Sequence, residues 1–162
     1  MVKPKILGLG AEAVVSLNSD NTVSKFRPRK GYRIVQIDDK IRKLRTRSEA
    51  RLMVRASKVV NTPSFFSVDE KGSKIVMSFV AGAKLSDFLS SSSDTESENV
   101  CFVLGVEVSK LHDSNIVHGD LTSSNIIVPA KGGFENQIFF IDFGLSFYSE
   151  KFEDKAVDVH LF

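Results

Sequence analysis

Apolar positions fall into short runs at the start of the chain and into helical spacings in its middle. Ile6-Leu7-Gly8-Leu9, a small-residue turn through Gly10 to Ala13, and Val14-Val15 read as a strand, a tight turn and a returning strand. Asn18 to Asn21 makes the next turn, and Thr22-Val23-Ser24-Lys25-Phe26 the third strand. Residues 27–33, Arg-Pro-Arg-Lys-Gly-Tyr-Arg, break the pattern and are expected to form a mobile basic connection. Ile41, Leu44, Leu52 and Ala56 then recur at helical intervals. They predict a helix from about Asp38, with Asp38 or Asp39 capping free N–H groups and Arg42, Lys43, Arg45, Arg47, Arg51 and Arg55 covering much of the exposed surface.

Asn61-Thr62-Pro63 ends that helix. Residues 65–68 and 75–79 alternate as paired strands around a turn containing Gly72, and Val80-Ala81-Gly82-Ala83 reads as a short connection able to act as a hinge. The serine-rich and acidic run 90–98 is a solvated loop entering a helix N-terminus, where acids favour the dipole. Val100, Val103, Leu104, Val108 and Leu111 give that helix one apolar face. Ile126-Ile127-Val128 and residues 138–141 form a hairpin, and 153–159 begin a last helix. Val157, Val159, Leu161 and Phe162 have no later helix in this chain to meet, so the second half is expected to be an incomplete lobe.

Composition narrows the class only modestly. A chain of 162 residues with 42% hydrophobic content suits one domain or two small lobes. The single cysteine, Cys101, excludes an internal disulfide, fits a reducing compartment and is expected as a core thiol. No secretory signal is read before the first strand and no apolar run reaches bilayer length, so a cytoplasmic and nuclear setting with no membrane partner is expected. Charge is unevenly spread. Through residue 60 there are 15 Lys or Arg against 5 Asp or Glu, and the remainder carries 7 against 15. Such a basic half suits nucleic acid or an acidic partner, although solvated helix faces explain it equally well, and it lacks the interleaved aromatics of single-strand binders.

Chemistry concentrates in His118-Gly119-Asp120-Leu121-Thr122-Ser123-Ser124-Asn125, followed one strand later by Asp142-Phe143-Gly144. Taken singly, each is an ordinary polar turn. In this order and spacing they supply oxygen ligands for Mg²⁺ on a nucleotide's phosphates, from Asn125 and Asp142, and a separate carboxylate, Asp120, to face an incoming hydroxyl or water. Gly8 and Gly10, with the small Ala11 and Ala13, leave backbone N–H groups open to phosphate, although the third glycine usual in such loops is missing. Lys25, on the strand after that turn, can reach phosphates beneath it and is preferred over Lys30 or Arg27. Glu49, the one acid amid the basic helix, either pairs within the helix or fixes Lys25 across a cleft.

With these parts in order the sequence resembles the eukaryotic-like protein kinases, their small RIO-like atypical members, and most narrowly the PRPK family, the kinase/ATPase subunit of the KEOPS (EKC) complex. The resemblance runs from Gly8 to Val159. It rests on Gly10-Ala-Glu-Ala13, Lys30 with Tyr32-Arg33, residues 45–51, Leu111-His-Asp113, the 118–125 loop, residues 141–146 and residues 153–158. It implies an α+β, two-lobed protein-kinase-like fold, with an antiparallel β-sheet N-lobe carrying one main helix over residues 1–80. A small helical C-lobe, cut short, follows over residues 81–162. Lys25 and Glu49 would orient the α- and β-phosphates, Met77 would back the adenine pocket, and Ser78 and Val80 would offer backbone groups to its edge. Asp120 would be the catalytic base, and Asn125 and Asp142 the metal ligands.

The implied activity is Mg²⁺-dependent ATP hydrolysis or serine/threonine phosphorylation. Its setting is an assembly with a threonylcarbamoyltransferase subunit and a small regulatory subunit, supporting threonylcarbamoyladenosine formation in tRNA. Gly119 stands where ordinary protein kinases carry arginine, which argues against regulation by activation-loop phosphorylation, and Val35 stands where a proline is usual. Family members continue for a few more helices into a basic tail linked to tRNA. Two other readings remain open from sequence: a small-molecule phosphotransferase of the aminoglycoside or choline type, which shares His-Gly-Asp-Leu followed by Asn, and a nucleotide-gated binding module with little catalysis.

Overall fold

The computed structural model describes residues 4–130 and 137–162. The chain gathers into two compact units, one formed by the chain up to Arg51 together with Ser64–Phe79, the other by Leu52–Pro63 and Val80–Phe162. The C-terminal end of the long helix and the residues after it, 52–63, group with the second unit, which resumes at Val80.

The first unit is an antiparallel sheet of strands β1 (Lys5–Leu9), β2 (Val14–Leu17), β3 (Thr22–Phe26), β4 (Phe65–Asp69) and β5 (Lys74–Ser78) in the order β1-β2-β3-β5-β4. Its turns follow from local chemistry. Asn21 takes φ +61° between β2 and β3, a left-handed conformation asparagine tolerates, while the Asp20 side chain accepts the Thr22 N–H at 3.1 Å. Between β4 and β5 the Asp69 carboxylate accepts the Gly72 N–H at 2.8 Å. Val23 and Ile75 are buried, and Met77 lies opposite Val23 in the β3–β5 register.

Helix α1 runs Val35–Ala56, beginning three residues earlier than the apolar spacing predicts. Asp38 is therefore inside the first turn, where it does not cap. Its N–H donates to Ile34 O, and its buried carboxylate accepts from Arg42 Nε at 2.8 Å. Arg42, expected on the exposed surface, is buried: it also donates to Asp39 Oδ1 at 2.5 Å and to the Arg27 carbonyl at 3.1 Å. The expected mobile connection at 27–33 is likewise held. Arg27 is buried against Glu49, Lys30 Nζ donates to the Ala11 carbonyl, and Arg33 bonds Glu12. Sequence pattern marks charge as solvated by default, and paired acids on neighbouring elements reverse that here.

In the second unit, β6 (Gly82–Lys84), β8 (Ile126–Pro129) and β9 (Phe139–Phe140) form an antiparallel sheet in that order, and β7 (Ile116–Val117) pairs with β10 (Phe147–Tyr148). The small-residue connection expected at 80–83 is thus partly a strand, because Gly82 lies so close to β8 that a Cβ there would meet the Val128 carbonyl and the Ile127 side chain. The short helix α2 (Leu85–Leu89), which the sequence pattern did not predict, buries Leu85 completely. Helix α3 (Asp94–Asp113) starts in a capping box: the Ser93 Oγ accepts the Glu96 N–H, and Glu96 accepts the Ser93 N–H at 2.8 Å. Its buried Val100, Leu104, Val108 and Leu111 form most of the expected face, with Val103 only half-buried. Cys101 is exposed, not a core thiol, since it sits at the edge of that face. Helix α4 (Phe152–His160) leaves Val157, Val159, Leu161 and Phe162 exposed.

Phe140 and Phe143 rank among the largest fully buried side chains and lie at either end of the Ile141–Asp142 dipeptide. Truncating Phe140 to Ala is expected to cost about 3–5 kcal/mol of unfolding free energy, measured by urea denaturation. A loss below about 1 kcal/mol would place the core elsewhere.

Candidate active site

In the first unit, β1 and β2 meet around Gly10-Ala-Glu-Ala13, closed by the Gly10 N–H on the Ala13 carbonyl at 2.9 Å. Gly8 is on β1 opposite Val15, at a bulge, with open space where a Cβ would stand; Gly10 and Ala11 are exposed. The turn is tied to the basic segment and to α1 by Glu12, which meets Arg33 at 3.1 Å and Arg45 at 2.9 Å. Burial alone would raise the Glu12 carboxyl above its usual range, but the Arg33 hydrogen bond and the charges of Arg45, Arg33 and Lys30 bring it below.

Lys25 and Glu49 are brought together: Nζ donates to Oε1 at 2.6 Å, with both side chains buried. The intrahelical pairing considered for Glu49 is not the one formed. A residue missing from the sequence-derived set joins them, because Arg27 NH2 donates to the other oxygen, Oε2, at 2.6 Å. Its signal was available, since residues two apart on a strand share a face. Met77 is buried on β5. The Ser78 N–H donates to the Ser64 carbonyl, and its hydroxyl accepts the Ser64 N–H, so the backbone donor of Ser78 is already engaged.

In the second unit, the loop after β7 carries Asp120 and a 3-10 turn, Ser123–Asn125. The Asn125 amide donates to Asp120 twice, to Oδ2 at 2.8 Å and to the backbone carbonyl at 2.9 Å. That leaves the side-chain oxygen of Asn125, Oδ1, for a hard cation. Asp120 Oδ1 has no hydrogen-bond partner among the described residues. The Ile141 N–H donates to the Asn125 carbonyl at 2.9 Å, which sets the head of the Asp142-Phe143-Gly144 turn beside the loop. Asp142 takes φ +65°, and its Oδ1 accepts the Gly144 N–H at 3.1 Å. A left-handed aspartate is uncommon, and the side-chain bond to the second residue on holds it there. Oxygen donors with few carboxylates are what Mg²⁺ takes when phosphate completes its shell. No group of three or more His, Cys, Asp or Glu suited to a metal occurs among the described residues.

What fixes this loop is Asp158, whose contribution the sequence did not reveal because it lies about forty positions away. Buried on α4, it accepts the backbone N–H groups of His118 and Gly119, each at 2.8 Å, and the His112 Nε2–H at 2.9 Å. Gly119 has φ +77°, and a Cβ there would strike the Leu145 carbonyl. The arginine usual at that place in protein kinases is therefore excluded here by backbone conformation and by space. His118 is buried between Phe143 and Phe140, with ring centroids 5.1 and 6.2 Å away, and its Nε2–H donates to the Ile141 carbonyl at 3.1 Å. Burial holds the imidazole below its ordinary value, so it stays neutral at pH 7. The Ser146 hydroxyl donates to the His118 carbonyl at 2.6 Å.

Residues 1–159 match the family model described as the protein kinase domain. The chain is 40% identical over 167 residues to the KEOPS complex subunit Bud32 of Pyrococcus abyssi, covering 97% of this chain and 74% of that one. It is 42% identical over 154 residues to the EKC/KEOPS complex subunit BUD32 of Encephalitozoon cuniculi, covering 94% and 73%. A probable bifunctional tRNA threonylcarbamoyladenosine biosynthesis protein of Methanothermobacter thermautotrophicus is 42% identical over 160 residues, covering 96% of this chain; there the chain spans only 28% of the relative. Among solved structures, the Rio2 kinase of Chaetomium thermophilum, in a complex with ADP, Mg²⁺ and phosphoaspartate, shares the fold with a TM-score of 0.73 at 18% identity. That match covers 95% of this chain and 52% of the other.

Fold and family define a kinase-type phosphotransferase. The chain belongs to the protein kinase domain family and, within it, to the Bud32 family.

Burial would raise the Asp158 carboxyl, but hydrogen bonds from His112, His118 and Gly119 outweigh it and hold the group below its ordinary value of 3.8. A depressed carboxylate contributes stability that is present above pH 3.8 and lost as pH falls through the lower folded value. Asp158→Ala is expected to cost about 2–4 kcal/mol at pH 7, since it strands buried donors, and to flatten the acid limb of stability against pH. An unchanged acid limb, followed by urea unfolding between pH 7 and pH 2.5, would remove Asp158 from that role.

Proposed function

We propose that this chain binds ATP with Mg²⁺ and acts as the kinase or ATPase subunit of a KEOPS-type assembly that supports threonylcarbamoyladenosine formation in tRNA. The observation that carries the reading is the 40% identity, over 97% of this chain, to a KEOPS subunit of which it covers 74%. In this reading its partners are a threonylcarbamoyltransferase subunit and a small regulatory subunit, with tRNA reached through the assembly. Its setting is the cytoplasm and the nucleus.

The chemistry follows from the residues in hand. Gly8, Gly10 and Ala11 present backbone to the phosphates, and Lys25, steadied by Glu49, holds the α- and β-phosphates through its ammonium. Met77 backs the adenine, with Ser78 and Val80 along its edge. Asn125, through its side-chain oxygen Oδ1, and Asp142 would hold Mg²⁺, whose contribution when bound is to neutralise charge on the phosphates. Asp120, oriented by the two Asn125 hydrogen bonds, takes the proton of the attacking hydroxyl or water at Oδ1. Water as acceptor gives ATP hydrolysis, and a serine hydroxyl gives protein phosphorylation.

ATP turnover with Mg²⁺ is expected from the purified chain in the presence of the threonylcarbamoyltransferase subunit. Asp120→Ala should lower kcat about 10²–10⁴-fold, the range for loss of a general base, and Asp142→Ala should abolish turnover. Steady-state phosphate release reads both. Undiminished turnover in the two variants would overturn these roles.

A further inference from the structure

The turn at residues 10–13 is secured through its carbonyls and its one charged side chain, while its donors stay open. The Ala13 carbonyl accepts the Gly10 N–H at 2.9 Å, and the Ala11 carbonyl accepts from Lys30 Nζ. The Glu12 carboxylate is bound by Arg33 at 3.1 Å and by Arg45 at 2.9 Å. In contrast, the N–H groups of Ala11, Glu12 and Ala13 have no hydrogen-bond partner among the described residues. Ala13 is moreover a buried residue. Buried backbone donors are almost always paired, so three successive open N–H groups ending at a buried alanine favour an anionic acceptor.

Lys30 comes from the basic segment between β3 and α1, which is itself held at both ends. At the first, the Arg27 N–H donates to the Ser73 carbonyl at 3.0 Å and the Arg27 carbonyl accepts from Arg42 NH1 at 3.1 Å. At the second, the Arg33 N–H donates to the Lys30 carbonyl at 3.2 Å, and the Arg33 guanidinium lies 3.1 Å from Glu12 and 3.6 Å from Asp38. From this strap Lys30 makes one hydrogen bond among the described residues, to a neutral carbonyl and not to a carboxylate. A trans peptide is planar, with its carbonyl and the following N–H on opposite sides. Holding the Ala11 carbonyl toward Lys30 therefore turns the Glu12 N–H the other way. A cation on that carbonyl also polarises the unit, so that its N–H donates more strongly. With alanine at 11 and 13 the turn lacks the freedom that a further glycine would give, and what grips it sets its peptides.

We propose that Lys30 is a positioning residue for phosphate binding: by taking the Ala11 carbonyl it orients and polarises the Ala11–Glu12 peptide, so that the Glu12 N–H donates to a phosphate oxygen of a nucleotide at the turn. Arg33 and Arg45 steady the same peptide through the Glu12 carboxylate. Arg29, one position earlier, brings the same charge to the segment but is paired with Asp39 at 3.3 Å and makes no hydrogen bond to the turn among the described residues. General attraction of anions would come from either cation, whereas orientation of the peptide comes from Lys30 alone. The inference deepens the nucleotide-binding reading above and rests on it for the identity of the ligand.

The test is calorimetric binding of Mg-ATP, adenosine and tripolyphosphate to the full chain and to Lys30→Met, Lys30→Gln, Lys30→Arg and Arg29→Gln, each shown to be folded by its thermal transition. The two uncharged variants at position 30 are alternatives, so one that fails to fold does not end the test. Loss of the Lys30 ammonium is expected to weaken ATP and tripolyphosphate about tenfold, the scale of one hydrogen bond to a charged group. Adenosine affinity should be unchanged, Lys30→Arg should recover most of the loss, and Arg29→Gln should bind as the unmodified chain does. In amide NMR spectra the Glu12 N–H of the unmodified chain should move downfield on saturation with tripolyphosphate. Undiminished ATP and tripolyphosphate binding in the uncharged Lys30 variants, an equal loss in Arg29→Gln, a parallel loss for adenosine, or a Glu12 amide that does not respond would overturn the role of Lys30 while leaving the nucleotide reading intact. Lys30-dependent binding of tripolyphosphate without ATP binding would overturn the nucleotide reading and keep the phosphate role. Failure of the unmodified chain to bind either would overturn both.

Discussion

A buried carboxylate, once formed, dictates what must surround it, and Glu49 imposes that constraint on the first unit. Taking it out of water is tolerable only because Lys25 and Arg27 each occupy one of its oxygens. Meeting that requirement couples α1 to the end of β3. The β3 residues must then hold their register in the sheet, where Lys25 lies opposite Val15 on one side and Ile75 on the other. Arg42, Asp38 and Arg33 extend the same logic toward Glu12 and the β1–β2 turn. The result is a chain of charge pairs in which each member removes the desolvation penalty of the next. A single deletion in such a chain strands a charge, which costs more than a lost contact.

The second unit solves a different problem, that of holding a loop without secondary structure. Asp158 does for backbone N–H groups what Glu49 does for cations. Two amide donors aimed at one carboxylate fix the start of the loop, the Ser146 hydroxyl takes the His118 carbonyl, and Asn125 takes Asp120. The left-handed positions, Gly119 and Asp142 with positive φ, are thereby fixed by their neighbours. A neutral, buried His118 packs beneath them and brings no competing charge to the loop.

How much of this was legible beforehand depended on the range of the interaction. Strands β1 to β5, their turns and the apolar face of α3 were readable because alternation, helical spacing and turn residues are local. Asp120, Asn125 and Asp142 could be singled out because spacing and order carry their chemistry, and Asp120 and Asn125 do meet through two hydrogen bonds. Arg42 and Cys101 went the other way. Composition puts arginine outside and a cysteine amid apolar neighbours inside, and each was reversed by what the rest of the fold sets against it. The strand at Gly82 to Lys84 was missed because three small or polar residues carry no period, and its identity comes only from pairing with β8.

The sequence by itself determined the kinase-like order of elements and the spacing of Asp120, Asn125 and Asp142, because both are written in short intervals along the chain. Tertiary structure alone decided that Glu49 would share itself between two cations, and that an aspartate on the last helix would hold the loop begun at His118. It also decided that Gly119 would leave no room for a side chain. Those outcomes rest on distances between residues remote in sequence, and burial, which sets their energy, exists only after the chain has packed.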